Sequence, residues 1–225
     1  MLLSAIQWEF LARGALLTLG VALMAFVLAL VVAFATGFAL LTRIRLVRLV
    51  ATVYAEIFRG CSALVQIYFI FFVFPLFGVN LPPILAGVLT LGLNFGAYGA
   101  HIVRATIQSI DRGQWEVATA LNIPYALAMR RIILPQALIA MMPLFGNELI
   151  RILKSTSLLS AVTIAELTFS GNTLVAHTGQ PTTIFTAILL IYFAIAFPLA
   201  TAIKRLEAPI QSRFGVAPMR IRDTT

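Results

Sequence analysis

The sequence predicts an all-α membrane protein of five transmembrane helices, with its N-terminus outside and its C-terminus inside. Three observations predict this. The 225-residue chain is 61% hydrophobic and only 11% charged, well below the roughly 25% charged residues of a soluble domain. Its apolar residues fall in uncharged runs long enough to cross a bilayer, which takes about 20 residues. Its basic residues gather between alternate runs, as they do in cytoplasmic loops.

The elements follow in order. Residues 14–42 carry no charge and form the first span. Residues 60–100 are also uncharged, but too long for one span. The Phe77-Gly78-Val79-Asn80-Leu81-Pro82-Pro83 turn divides them into spans at about 60–77 and 84–103. A fourth span fits about 132–151, bent by Pro135 and Pro143. A fifth fits about 184–203. The whole chain, 1–225, reads as one transmembrane domain with a long inner loop over 104–131. The outer segment 152–183 begins mildly apolar (Leu158, Leu159, Val162, Ile164, Leu167) and then turns polar. It is expected to form a short helix at the outer interface, followed by a loop. In span three, Gly92, Gly96 and Ala100 recur at intervals of four, a spacing that lets helices approach closely in lipid.

The positive-inside rule sets the orientation. Arg43, Arg45 and Arg48 follow span one; Arg104, Arg112, Arg130 and Arg131 lie between spans three and four; Lys204, Arg205, Arg213, Arg220 and Arg222 follow span five. Alternation puts all of these on one side, the cytoplasmic one. Arg13 falls outside, with Arg151 and Lys154 near the outer end of span four. Glu9 and Arg13 precede the first apolar run and no basic start does, so that run is expected to be a retained span and not a cleaved signal.

Composition excludes several functions. The net charge of +8 sits in short clusters between spans, so nucleic acid is not an expected partner and membrane lipid is. The single cysteine, Cys61, allows no intrachain disulfide. His101 and His177 stand alone, so no metal site is expected. The two lysines, Lys154 and Lys204, do not follow glycine, so there is no phosphate-binding loop. No catalytic constellation stands out. The chain is expected to be neither an enzyme nor a cofactor binder.

The inner loop carries the most specific pattern. Glu116, Ala118, Asn122, Ile132, Leu134 and Pro135 fall at fixed spacings within it. This resembles the coupling motif of bacterial ATP-binding-cassette importer permeases: Glu-Ala-Ala, three residues, Gly, nine residues, Ile, one residue, Leu-Pro. Val117 replaces the first Ala and Asn122 replaces the Gly. Asn tolerates the left-handed conformation that Gly supplies after a helix, and Pro124 suits a helix stop. A short helix of this kind can sit in a groove of a soluble partner. Small Ala118 would allow close approach, and Glu116 would meet a basic partner residue or cap its own helix.

Other segments resemble the polar amino-acid branch of that family (histidine, arginine and glutamine permeases). Residues 56–66, Glu-Ile-Phe-Arg-Gly-Cys-Ser-Ala-Leu-Val-Gln, are similar to its Phe-Arg-Gly-Thr-Pro-Leu-Leu-Val-Gln signature, departing at Cys61, Ser62 and Ala63. Asn147-Glu148 with Lys154-Ser155-Thr156-Ser157-Leu158-Leu159-Ser160 matches a second signature. Gly14 and Thr18-Leu19 match the start of span one, and Ala97-Tyr98 match too, but His101 stands where the family usually has Glu. Residues 93–100 resemble permeases for ectoine and hydroxyectoine.

The resemblance, roughly over 14–207, implies the type I importer permease fold in a bacterial inner membrane. It implies a second permease subunit, identical or related, and an ATPase dimer that binds ATP and Mg. It also implies a periplasmic or lipid-anchored solute-binding protein. A passive channel or structural subunit without an ATPase is the alternative.

Asn147, Glu148, Arg151 and Lys154 cluster on span four. Ionisable residues at membrane depth face a cavity or a partner. Glu148, Arg151 and Lys154 are spaced three apart and share a helix face, which offers both charges to a zwitterion. A structural Glu148–Arg151 pair is the competing reading. Glu56 and Arg59, also three apart, read as a structural pair near the inner interface. Phe69, Phe71, Phe72 and Phe74 read as lipid-facing or packing residues.

Overall fold

The computed structural model describes residues 4–214, with side chains described through 205. Arg220 and Arg222 lie outside the described residues, and Arg213 falls where side chains are not described. The described residues form helices and turns only. In order they are α1 (Ala5–Leu41), α2 (Arg45–Gly60), α3 (Ala63–Tyr68), α4 (Pro83–Ser109), α5 (Arg112–Ala120), α6 (Tyr125–Ala128), α7 (Leu134–Ser155), α8 (Leu167–Thr178) and α9 (Pro181–Phe214). Three runs are single spans by length and apolarity: α1, α4 and α9. A fourth joins α6 to α7 and continues to Val162. The fifth is broken: α2 meets the Ala63–Phe77 helix at a bend of 103°.

Helix α1 begins nine residues before the uncharged run. A capping box starts it: Gln7 N–H donates to Ser4 Oγ, and Ser4 N–H donates to Gln7 Oε1 at 2.8 Å. Glu9 and Arg13 pair one turn apart at 2.6 Å and keep this polar turn helical. Hydropathy alone starts the span too late because it does not register caps.

Helices α1 and α4 form the main packing, and small residues allow it. A Cβ on Gly92 would stand 2.5 Å from Leu28, and one on Gly96 would stand 2.7 Å from Val32. Gly37 of α1 receives Val103 in the same way, at 2.6 Å. The Gly92–Gly96–Ala100 row is therefore a packing groove. Ala100 is buried against Leu40 and Ala51. Interdigitation at this separation gains dispersion contacts that lipid does not offer.

Two π turns interrupt helices, Phe69–Val73 and Met129–Ile133, and each is followed two residues on by a proline, Pro75 or Pro135. Proline supplies no N–H and crowds the preceding turn. A wider turn relieves that crowding without ending the helix. Gly78, at φ 80°, then closes the second span.

Two expectations are corrected. Residues 45–59 are not a loop leading to a span at 60: they form α2, buried at Ala51 and Ala55 and exposed at Val47, Val50 and Ile57. Three arginines (Arg45, Arg48, Arg59) and Glu56 hide this helix from a hydropathy reading. In the outer segment, Thr156–Val162 is a 3₁₀ turn, and the polar stretch expected as a loop is α8. The cause is Glu166, which accepts Thr168 and Phe169 N–H, each at 2.8 Å, and so starts a helix there.

The ends of the bundle differ. At one end a core cluster joins Leu41, Ile107, Ile110, Trp115, Met129, Ile132 and Ile133. Arg43, Arg45, Arg112, Arg130 and Arg131 flank these residues in sequence. At the other end Leu11, Leu167, Leu174 and Ile184 pack together. Thr18 accepts the Leu167 N–H at 3.1 Å there, and Gly14, one turn away, lets α8 approach: a Cβ would stand 2.6 Å from Ser170 Oγ.

Candidate functional site

Helix α5 stands at the basic end, started by Asp111, whose Oδ1 accepts the Gly113 N–H at 2.8 Å. Its C-terminus closes as a Schellman motif: Ile123 N–H donates to Ala118 C=O at 2.9 Å, and Asn122 N–H to Thr119 C=O at 3.0 Å. Asn122 takes φ 52°, the left-handed conformation expected of it at a glycine position. Trp115 stacks on Tyr125 with centroids 5.2 Å apart, fixing α5 against the start of the next span.

The exposed surface of α5 differs from the expectation. Ala118 is 3% exposed and points into the protein, so its small size serves internal packing. Glu116 is exposed, and Val117 and Leu121, one turn apart, present an unpartnered apolar ridge at 58% and 66% exposure. Beyond them, Ile132 and Leu134 pack on the core cluster at this end. Pro135 is exposed at the start of α7.

The second site lies at the middle of α4. Asn94, Phe95, Tyr98 and His101 form one stripe of that helix, and the α2–α3 break folds onto it. The break exposes C-terminal carbonyls of α2, and side chains satisfy them. Asn94 Nδ2 and Gln66 Nε2 both donate to Phe58 C=O at 2.8 Å. Gln66 also donates to Cys61 C=O at 3.1 Å, and Tyr98 O–H donates to Arg59 C=O at 3.3 Å. From α7, Arg151 donates to Glu148 Oε2 at 3.0 Å and lies over Phe95 and Tyr98, 5.7 and 5.2 Å from their centroids. Arg59 lies 5.5 Å from the Tyr98 centroid. Two guanidinium groups thus share one aromatic ring.

The four span-four residues do not form one constellation. Glu148 is buried, with Oε1 lacking any hydrogen-bond partner. Arg151 and Asn147 are exposed. Lys154 turns away from Arg151, toward α9, and lines an apolar groove of about 620 Å³ with Ile150, Phe185, Leu189 and Phe193. Three residues along a helix turn a side chain by about 60°, enough for the two cations to serve different grooves.

Arg59 was expected in a structural pair near the inner interface. It does pair with Glu56, at 3.2 Å, but it also reaches the mid-span ring and His101. The Phe-Arg-Gly signature held a signal for this that spacing along the chain cannot reveal. Glu166 was missed as well, because Glu is not a favoured N-cap. It is fully buried and also accepts from Tyr192 O–H at 3.2 Å. Burial pushes its carboxyl above the usual range, opposed by the Thr168 and Phe169 N–H groups and by Tyr192.

Residues 25–210 match the family described as binding-protein-dependent transport system inner membrane component. The chain belongs to that family. The permease is 42% identical over 206 residues to a probable amino-acid ABC transporter permease of Sinorhizobium fredii, covering 89% of this chain and 87% of that one. It is 34% identical over 194 residues to the L-cystine transport system permease of Bacillus subtilis, covering 86% and 83%. Its fold matches the crystal structure of an amino acid ABC transporter with histidines at TM-score 0.86 and 30% identity, covering 93% of this chain and all of that one. The permease is a multi-pass inner-membrane transport subunit with the type I importer permease fold. Among the described residues no group of three or more His, Cys, Asp or Glu side chains could hold a metal ion.

Proposed function

We propose that this permease moves a polar amino acid or an amino-acid-like compatible solute into the cytoplasm, driven by a separate ATPase. The observation that carries the coupling is the exposed ridge of α5. Glu116, Val117 and Leu121 face outward on a short helix whose both ends are capped and whose Trp115 is stacked on the next span. A push on α5 would pass through Trp115, Tyr125 and the Met129–Ile133 turn into α7. Ala118 and Asn122 shape that helix, and Ile132, Leu134 and Pro135 set its connection to the bundle. ATP and Mg would bind the partner ATPase dimer, and the permease itself would hold no cofactor.

The N-terminus lies outside and the C-terminus inside in this reading, because the basic end of the bundle then faces the cytoplasm. The inner loop, expected over 104–131, is the shorter segment 110–124 between the span that ends at Ser109 and the one that begins at Tyr125. A second permease subunit, identical or related, and a periplasmic or lipid-anchored solute-binding protein complete the importer. The names of the relatives support an amino-acid substrate, and the resemblance of residues 93–100 supports ectoine or hydroxyectoine within that class.

Of the four span-four residues, Asn147, Glu148 and Arg151 line the substrate path in this reading, and Lys154 faces the separate groove on α9. A zwitterion would meet the exposed guanidinium of Arg151 with its carboxylate, and buried Glu148 would hold that guanidinium in place. The test is co-purification from native membranes. Wild type should bring an ATPase, a permease partner and a solute-binding protein. Val117→Asp with Leu121→Asp should lose the ATPase while the permease still elutes as a folded species. Recovery of the permease without an ATPase, in a detergent known to preserve such complexes, would point to the channel reading.

A further inference from the structure

Arg59 Nη1 lies 3.1 Å from His101 Nε2. A guanidinium has donors only, so Nε2 is the acceptor and the ring is neutral, with its proton on Nδ1. The same Nη1 makes the Glu56 contact at 3.2 Å, while Arg59 Nε is buried without a partner. The position of this guanidinium over Tyr98 therefore hangs on one nitrogen and two neighbours.

We propose that His101 is a positioning residue: neutral, it holds Arg59 on the Tyr98 ring beside Arg151, and protonated, it releases Arg59 and slows transport. The inference rests on the substrate-path reading for its effect on uptake, but not for the latch itself.

The charged groups around His101 support the release. From α2 it faces Arg59 and Glu56, the latter 3.8 Å from Nε2. From its own helix it meets Tyr98 and Arg104, and from α7 Arg151 lies beyond the shared ring. Protonation turns Nε2 into a donor, so two donors would oppose each other at the present 3.1 Å. Two cations, His101 and Arg59, would then compete for exposed Glu56, and His101 can take that carboxylate itself. Both side chains are about one-third exposed, 35% for His101 and 34% for Arg59. Imidazole ordinarily titrates near pH 6.5, which makes it the side chain suited to such a change.

The experiment uses the assembled importer in proteoliposomes, comparing wild type with His101→Gln. Glutamine keeps a neutral acceptor and cannot be protonated. The first readout is thiosulfonate labelling of Cys61, the chain's one cysteine, exposed at the α2–α3 break. The wild-type rate is divided by the His101→Gln rate at each pH, which cancels the thiol's own titration. This ratio should change several-fold between about pH 8 and about pH 5, on either side of the ordinary imidazole value. The second readout is uptake, in which His101→Gln should match wild type at the higher pH and exceed it several-fold at the lower. His101→Lys, a fixed cation, should transport slowly at both, mainly through KM.

Parallel labelling and uptake profiles for wild type and His101→Gln would overturn the proposal. A labelling change with unchanged uptake would overturn the role in transport. A labelling change together with normal uptake in Glu148→Gln and Arg151→Gln would sink the substrate-path reading and leave the latch standing.

Discussion

The Glu148–Arg151 pair allows a prediction whose size depends on which partner is removed. Glu148 has 3% side-chain exposure and Arg151 has 55%. Breaking a fully buried pair by deleting one partner costs about 3–5 kcal/mol, because the remaining charge is uncompensated. Here only the carboxylate is buried, so the two deletions are unequal. Arg151→Gln strands the Glu148 charge with neither oxygen facing a cation. Discounted for the solvent around Arg151, that cost is about 2 kcal/mol, which is roughly 4–8 °C in Tm for a domain of this size. Glu148→Gln leaves a cation that is half in solvent and still lies over two aromatic rings. Its cost is about 1 kcal/mol or less, the net value of one hydrogen bond. The double replacement should be more stable than Arg151→Gln alone.

The assay is thermal stability of the purified complex by size-exclusion chromatography after heating. Ranking is used because membrane-protein unfolding is often irreversible. Uptake is measured on the same variants. Glu148→Gln should assemble normally and lose uptake if the pair lines the path. If Glu148→Gln and Arg151→Gln destabilise equally, and the double variant adds the two losses, the burial argument fails. Loss of assembly in Glu148→Gln would make the pair a structural staple.

Three further outcomes are expected. Asn122→Gly should keep or raise coupled ATPase activity and stability, whereas Asn122→Val, forced to φ near 52°, should cost about 1–2 kcal/mol and lower substrate-stimulated ATP hydrolysis. Gly99→Ala and Gly92→Ala should each lower assembly yield, because a Cβ on Gly99 meets Ala33 Cβ at 2.6 Å and one on Gly92 meets Leu28 Cβ at 2.9 Å, atoms that no side-chain rotation moves; yield from detergent extracts checks this. Glu166→Ala removes the N-cap of α8 and the Tyr192 acceptor, so it should destabilise by about 1–2 kcal/mol, read as a lower melting temperature, with Glu166→Gln intermediate.

What the sequence determined by itself was local or additive. Uncharged runs specify membrane helices because each residue's transfer to lipid adds to its neighbours'. The Gly92–Gly96–Ala100 row specified close packing, because in lipid only small side chains let backbones meet. The motif spacing located the short helix α5, and Asn122 was legible as a left-handed cap because that preference belongs to the residue itself. Tertiary structure decided the rest. Helix α2 was hidden because its charges mask an apolar face that only α1 and α4 reveal. Ala118 could not be assigned a side from the motif, since a small residue suits a partner and a core equally. Arg151 and Lys154, neighbours on one helix face, were separated by the different rings and grooves that α4 and α9 bring to them. The joining of Arg59, Tyr98, His101 and Arg151 depends on a 103° bend. No residue at that break encodes the bend alone; it arises because Asn94, Gln66 and Tyr98 supply the hydrogen bonds that its freed carbonyls need.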